Sequence, residues 1–409
     1  MLNSVVVIAV ALVLLWVLMR PKLQGSERWQ ATLTPLASII GSGFLVSVPI
    51  LAGELGNWAI LGIFVLIVAA YCIGIVIRFN IQYAEPLFAA RDARGQHRLI
   101  ISLEKLSQLL LAFAYFVSIA YYLVLLGNFI LKGFGIESDV GAQVIASLLL
   151  FVIAGAGVSG GLGSVEKVEK YAVALNLAII GALLAGLLLY NGTLVFEGEW
   201  QLPAETTSFS LHKVQVLLGL LIIVQGFETS RFLGDEYSAP LRISSMRLAQ
   251  RFSAGIYLVF FALISVLFGY LEADRSIAAV ISLVGHVAII LPLMLTLGAV
   301  ASQFGAAIAD SLGSAGLLED TTERRVDVKH AYILIGVVAI ALVWRTDVMR
   351  IVTLASQAFA LFYLTQCGVA LAVLNTQHSI ADRRARQVGF AFVGLLCLAV
   401  VVLGVPAPA

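Results

Sequence analysis

The chain is an almost unbroken succession of apolar runs, each about the length a helix needs to cross a lipid bilayer. A hydrocarbon layer about 30 Å thick calls for roughly 17 to 25 residues. Runs of this kind fall at 2–19, 31–53, 57–78, 104–131, 141–158, 168–190, 212–234, 250–271, 281–312, 330–344, 347–374 and 387–405. Of the 409 residues, 61% are hydrophobic and 12% charged, against about 25% charged in a soluble domain. These features predict an all-α integral membrane protein of twelve transmembrane helices in contact with the lipid bilayer. The longest connections, 79–103 and 191–211, leave no room for a soluble catalytic, nucleotide-binding or nucleic-acid-binding domain.

Charge placement predicts topology. Of 25 Lys and Arg, 20 fall on one side of these spans, and only Lys132, Lys213, Arg275, Arg345 and Arg350 on the other. The positive-inside rule makes the richer side cytoplasmic, which puts both termini outside a plasma or inner membrane. Acidic residues including Glu137, Asp139, Glu197, Glu199, Glu205, Glu272 and Asp274 fit the opposite surface. Run 2–19 has no basic residue ahead of it and is followed by Arg20-Pro21-Lys22, so it reads as an uncleaved anchor rather than a secretory signal. Cys72, Cys367 and Cys397 lie inside spans without paired spacing, which suggests packing and neither a disulfide framework nor a metal site.

Two of the runs carry helix-breaking sequence at their centres: Gly41-Ser42-Gly43 and Gln225-Gly226-Phe227-Glu228. A helix interrupted in lipid leaves amides and carbonyls unpaired, which is tolerable only where they face protein, water or a bound solute. A half-helix restarting at Phe44 would point free amides and a positive dipole end at an anion. The alternative at Gly41–Gly43 is a small-residue stripe for close helix packing. Glu228 is an ionisable residue at membrane depth, the usual mark of a cavity or relay; its alternative is snorkelling beside Arg231. Counting from the second run gives five spans over 31–190 and five over 212–374, each set opening on an interrupted helix. An odd number of crossings per set makes this a 5+5 inverted repeat with two discontinuous helices and a binding site at the interface. Residues 1–30 then form an extra helix and linker, and 375–409 a peripheral last helix.

At these residues the chain resembles the amino acid-polyamine-organocation (APC) superfamily of transporters. Ile40-Gly41-Ser42-Gly43-Phe44 is similar to that family's first core helix, and Gly53-Glu54-Leu55-Gly56 and Tyr83-Ala84-Glu85-Pro86 to the motifs that follow it. Gly226-Phe227-Glu228-Thr229-Ser230, with Gly234-Asp235-Glu236-Tyr237 and Ala239-Pro240, is similar to its sixth-helix motif. The resemblance covers about 31–374. It implies that amides at Ser42, Gly43 and Phe44, beside Gly41, hold a substrate carboxylate, that carbonyls near Gln225 and Gly226 hold its amine, that Phe227 gates, and that Glu228 senses or relays protons. Phe44-Leu45 in place of Ile-Phe, Leu241-Arg242 after the proline and the extra first helix depart from the family pattern and put the substrate class in doubt.

Tyr115, Ser118 and Tyr122 share one helical face by their spacing, either lining a cavity or packing between helices. Ser302 offers one hydroxyl for a sodium site with no second nearby, although such a site needs several oxygen ligands. Asn176 stands where some proton-coupled relatives have lysine. Neither ion finds its full family set here, and Glu228 alone tips the expectation towards protons over sodium. Asp310 reads as snorkelling at a helix end, and His286 as a structural intramembrane histidine. Gly155-Ala156-Gly157-Val158-Ser159-Gly160 and Gly157-Val158-Ser159-Gly160-Gly161 spell a dinucleotide fingerprint and a nucleophile elbow, but both need a strand-turn-helix context that a membrane run does not supply. No Gly-x-x-x-x-Gly-Lys-Ser/Thr run is present. The expectation is a permease, not an enzyme, needing no cofactor and moving a small amino acid-like or amine solute by ion coupling or exchange. The alternative is a non-transporting membrane receptor or sensor with the same fold.

Overall fold

The computed structural model describes residues 2–89, 98–160, 163–203, 210–272 and 276–408. Arg91, Arg94, Glu205, Asp274, Arg275 and Gly161, and the side chains of Ser42, Lys167, Lys170 and Glu272, lie outside the described set. The helices in chain order are α1 (Leu2–Leu18), α2 (Pro21–Gln24), α3 (Glu27–Leu55), α4 (Ala59–Tyr83), α5 (Glu85–Ala89), α6 (Arg98–Gly133), α7 (Asp139–Ser159) and α8 (Gly163–Glu197). They are followed by α9 (Leu211–Leu218), α10 (Ala239–Ile264), α11 (Ala279–Leu283), α12 (Leu291–Thr321), α13 (Val328–Arg345), α14 (Val348–Thr376) and α15 (Arg383–Leu403). No strand occurs among the described residues. Nine stretches of them are long and apolar enough to cross a membrane, and one, Glu27–Tyr83, contains both α3 and α4.

Helix α6 is the axis of the bundle, packed between α12 and α14. Its middle, from Leu111 to Phe129, is almost wholly buried, which is why its sequence is apolar on every face rather than along one stripe. By contrast α7, α13 and α15 expose Phe151, Val337 and Leu395, as helices do when lipid covers one side. Ser138, Asp327 and Asp347 cap α7, α13 and α14 by accepting amide hydrogens, the expected use of short polar side chains at helix starts. The His330 amide and ring together hold the exposed Asp327 carboxyl below its usual range. Gly181 and Gly186 of α8 receive Leu14 and Val7 of α1, close packing of the kind small residues permit in membranes.

Two expectations are corrected. Helix α3 runs without a break through Gly41-Ser42-Gly43, so the amides at Ser42, Gly43 and Phe44 belong to a continuous helix. The glycines serve contact instead: a Cβ on Gly43 would stand 2.6 Å from Ile223 Cα. The run 281–312 is likewise not one helix. It divides into α11, a tight turn at Val284–His286, and α12, whose Pro292 sits in the first turn, where its missing N–H costs nothing. His286 thus lies in a connector, stacked on Tyr270 with ring centroids 4.0 Å apart. Residues 155–159, five of the six in the first decoy motif and including Gly157–Ser159 of the second, are α-helical, so neither motif has its required strand.

The second interruption is present. After α9 the chain makes short 3-10 turns at Leu221–Val224 and Phe227–Phe232, with Gln225 extended and Gly226 at φ 114° between them. A β-carbon on Gly226 would meet the Ser38 carbonyl carbon at 2.6 Å. Replacing Gly43 or Gly226 by Ala is therefore expected to lower stability, by about 1–3 kcal/mol from backbone strain alone at Gly226. Gly155→Ala, with nothing within 4 Å of the new Cβ, is expected to be neutral. Thermal unfolding of purified variants in detergent checks the ranking.

Candidate functional site

Backbone groups at 222–226 find partners on two neighbouring helices and within the segment itself. Tyr257 of α10 donates its hydroxyl to Ile223 O at 2.6 Å and to Ile39 O of α3 at 3.2 Å, so one phenol fastens both elements. Ser356 Oγ of α14 accepts the Ile222 amide at 3.0 Å. Glu228 Oε2 accepts the Gly226 amide at 3.0 Å, and Thr229 Oγ1 donates to Gly226 O at 2.8 Å. A discontinuity in lipid requires this local pairing.

Glu228 is 1% exposed. Tyr363 of α14 also donates its hydroxyl to Oε2 at 2.7 Å. These partners are neutral, so among the described residues the carboxyl is held in a dry position by hydrogen bonds rather than by a countercharge. Phe227 stacks on Tyr363 at 5.5 Å, nearly parallel. Gln225 Nε2 donates to Tyr122 OH of α6 at 3.3 Å. The other α6 candidates turn to different helices: Ser118 donates to Asp310 of α12, and Tyr115 packs edge-on to Phe359 of α14 and against Gly313 of α12. Phe44 packs on Tyr257 and Phe260 of α10.

Gly41 and Ser302 face each other across the α3–α12 contact, where a Cβ on Gly41 would stand 3.0 Å from Ser302 Oγ, and Gln303 Nε2 donates to Gly41 O at 2.9 Å. Gly41–Phe44 and the interrupted segment approach closely, a Cβ on Gly43 meeting Ile223 Cα at 2.6 Å. Asp310 corrects another expectation. It is buried, and α12 continues to Thr321, eleven residues or about 16 Å further on, so it does not snorkel from a helix end. It lines a cavity of about 60 Å³ with Thr34, Ser38, Asn176, Thr229 and Ser302.

The two ends of the bundle differ. At the end bearing most Lys and Arg, Arg231 pairs with Glu104 of α6 at 2.9 Å, and Arg242 of α10 pairs with Glu85 of α5 at 2.6 Å. Gln366 of α14 and Asn80 of α4 complete a buried polar cluster. At the other end a cavity of about 470 Å³ opens among α6, α7, α13 and α14, lined by Asn128, Asp139, Gln143, Arg345 and Asp347. This larger space lies away from the Glu228 position.

Residue-by-residue reading of the sequence missed Tyr257, Tyr363, Asn80, Glu104 and Gln366. Gln366 and Glu104 carried a usable signal, since a polar residue inside an apolar run is by default a functional or bridging one. The tyrosines carried none, because their partners lie 34 to 218 residues away in sequence.

The model of a family described as APC superfamily transporters matches residues 21–404. The chain belongs to the APC superfamily. Helix α1 precedes the matched residues. An uncharacterized protein of Aquifex aeolicus (strain VF5) is 41% identical over 351 residues, 86% of this chain and 85% of that protein. The fold is similar to a Na+-coupled sialic acid symporter solved in a substrate-bound outward-open state, with a TM-score of 0.51 and 14% identity over 100% of this chain and 98% of that one. At that identity the likeness speaks for the fold. The protein is a multi-pass membrane transporter and not an enzyme.

In this transporter Tyr363→Phe removes the side-chain donor to the buried Glu228 carboxyl, a loss of about 1–3 kcal/mol. The penalty is expected to shrink in a Glu228→Gln background, giving a coupling of about 1 kcal/mol in a double-mutant cycle. Strict additivity of the two unfolding free energies contradicts the contact.

Proposed function

We propose that this APC transporter is a secondary permease that moves a small amino acid-like or amine solute by alternating access, coupled to protons through Glu228. The observation that carries the reading is Glu228 itself, a buried carboxyl at the Gly226 discontinuity, held by neutral donors that include the Gly226 amide and the Tyr363 hydroxyl, with no ion pair among the described residues. Such a group can change protonation without breaking a salt bridge, and each of its partners belongs to an element that must move if the discontinuity opens. Gly226, Phe227 and Gln225 with Tyr115, Tyr122 and Ser118 are the proposed solute contacts, exposed when the aromatic cluster parts. Gly41, Ser42, Gly43 and Phe44 would contribute through α3 only after local unwinding, which their two glycines make inexpensive. Ser302 remains the oxygen ligand of a sodium alternative.

Twelve crossings are proposed by counting α1, α3 and α4 separately and taking α9 with Phe227–Phe232 as one interrupted span. The five-plus-five inverted repeat over 31–190 and 212–374 rests on that count. The basic end is taken as cytoplasmic by the positive-inside rule, so the ion-paired cluster closes the inner side while the 470 Å³ cavity faces outward. A closed inner end with an outer cavity is one of the two states that alternating access requires.

Purified protein in proteoliposomes tests the reading. A solute found by thermal-shift screening of amino acids and amines should raise apparent stability by about 2.7 kcal/mol at a hundredfold excess over Kd, and its uptake should depend on external pH. Glu228→Gln is expected to abolish that pH dependence with protein abundance unchanged. An unaltered pH profile in the variant removes Glu228 from coupling.

A further inference from the structure

The cluster at the basic end does more than close a surface. Glu228 and Arg231 are three residues apart in the 3-10 turn Phe227–Phe232, a geometry in which positions i and i+3 eclipse. Their partners on α14, Tyr363 and Gln366, are also three apart and share a face of that helix. Two rungs therefore tie the segment to α14: Tyr363 to Glu228 and Gln366 to Arg231. Gln366, fully buried, uses its whole amide here. Its Oε1 accepts from Arg231 and from Asn80 Nδ2 at 2.7 Å, and its Nε2 donates to Ser107 Oγ at 2.7 Å and Glu104 Oε2 at 3.2 Å. An amide has two donors and two acceptor positions, so no slack remains.

The charges balance. Arg231 Nη2 meets Glu104 at 2.9 Å, and its Nε lies 3.8 Å from Glu85. Arg242 holds Glu85 with both terminal nitrogens, at 3.0 and 2.6 Å, and donates to the Arg231 carbonyl at 2.7 Å. Two arginines and two glutamates thus neutralise each other across the segment, α5, α6 and α10. Resting on the alternating-access reading above, we propose that Arg231 is a positioning residue, the pivot of an inner latch whose pairing with Glu104 and Gln366 holds the basic end shut and registers the state of Glu228 three residues away. Ion pairs suit this task better than apolar contact. Dry, the paired groups are costly to separate singly. When the end opens, water satisfies each group on its own and exposed pairs contribute little. The same residues are satisfied in both states, which makes the element bistable rather than merely strong.

The test measures inner accessibility directly. In a background with Cys72, Cys367 and Cys397 replaced by alanine, Thr34→Cys places a single thiol in the 60 Å³ cavity beside the segment. Its labelling by a membrane-impermeant maleimide from the basic end is followed in oriented vesicles without solute or pH gradient. Glu104→Gln and Gln366→Leu are expected to raise the labelling rate about tenfold, a shift of the closed–open equilibrium within the range of two-state proteins. Arg231→Gln leaves Glu104 buried and unpaired and is liable to misfold. The Arg231→Gln/Glu104→Gln double variant removes both charges, should fold, and should also label faster. Wild-type labelling rates in folded Glu104→Gln and in the double variant overturn the latch. Because no solute enters the assay, faster labelling in a protein that fails to take up any solute supports the latch while rejecting the permease reading.

Discussion

The arrangement depends on one backbone-to-backbone approach. Helix α3 and the interrupted segment touch at Gly43 with Ile223 and at Gly226 with Ser38, distances at which no β-carbon fits. That contact brings the carbonyls of Ile39 and Ile223 within reach of a single hydroxyl, Tyr257. Tyrosine 257, Ser356 and Glu228 then satisfy groups that a broken helix would otherwise leave bare in lipid. The discontinuity is stable because two surrounding helices, α10 and α14, and the segment's own Glu228 and Thr229 supply its hydrogen bonds.

Seen along the bundle, the core passes from dry aromatic packing around Glu228 to a neutralised ion cluster at one end and a polar cavity at the other. Each zone follows from its residues. Phe227, Tyr363, Tyr115 and Tyr122 exclude water, and the hydroxyls of Tyr363 and Tyr122 meet the buried Glu228 and Gln225. Arg231, Arg242, Glu85 and Glu104 tolerate burial only as a set. Asp139, Arg345 and Asp347 stand at helix ends where solvent reaches them. In the proposed cycle the aromatic zone is the solute site, and the ion cluster and the cavity are its two thresholds.

Much of this was legible in the sequence, and the failures have causes. Apolar runs located the long helices because bilayer thickness sets helix length. The Gly226 break was readable because an acidic residue stands beside glycine at membrane depth. At Gly41-Ser42-Gly43 the same composition suits two outcomes, leaving helical geometry or admitting a neighbouring backbone, and only the position of Ile223 decides between them. The run 281–312 misled because α11 is apolar yet too short to cross. Asp310 misled because the end of α12 was set too early. The motifs Tyr83-Ala84-Glu85-Pro86 and Ala239-Pro240-Leu241-Arg242 were each visible, but the Glu85–Arg242 bridge that joins them is 157 residues apart in sequence.

The central claim is that the segment Phe227–Phe232 moves relative to α6 when the transporter changes state. Double electron–electron resonance between spin labels at Phe232 and Leu106, both exposed, measures that separation in lipid. The account predicts one distance population at neutral pH without solute and a second, longer one that grows when solute is added at low pH. A single unchanged distance under every condition, in protein shown to transport, would contradict it.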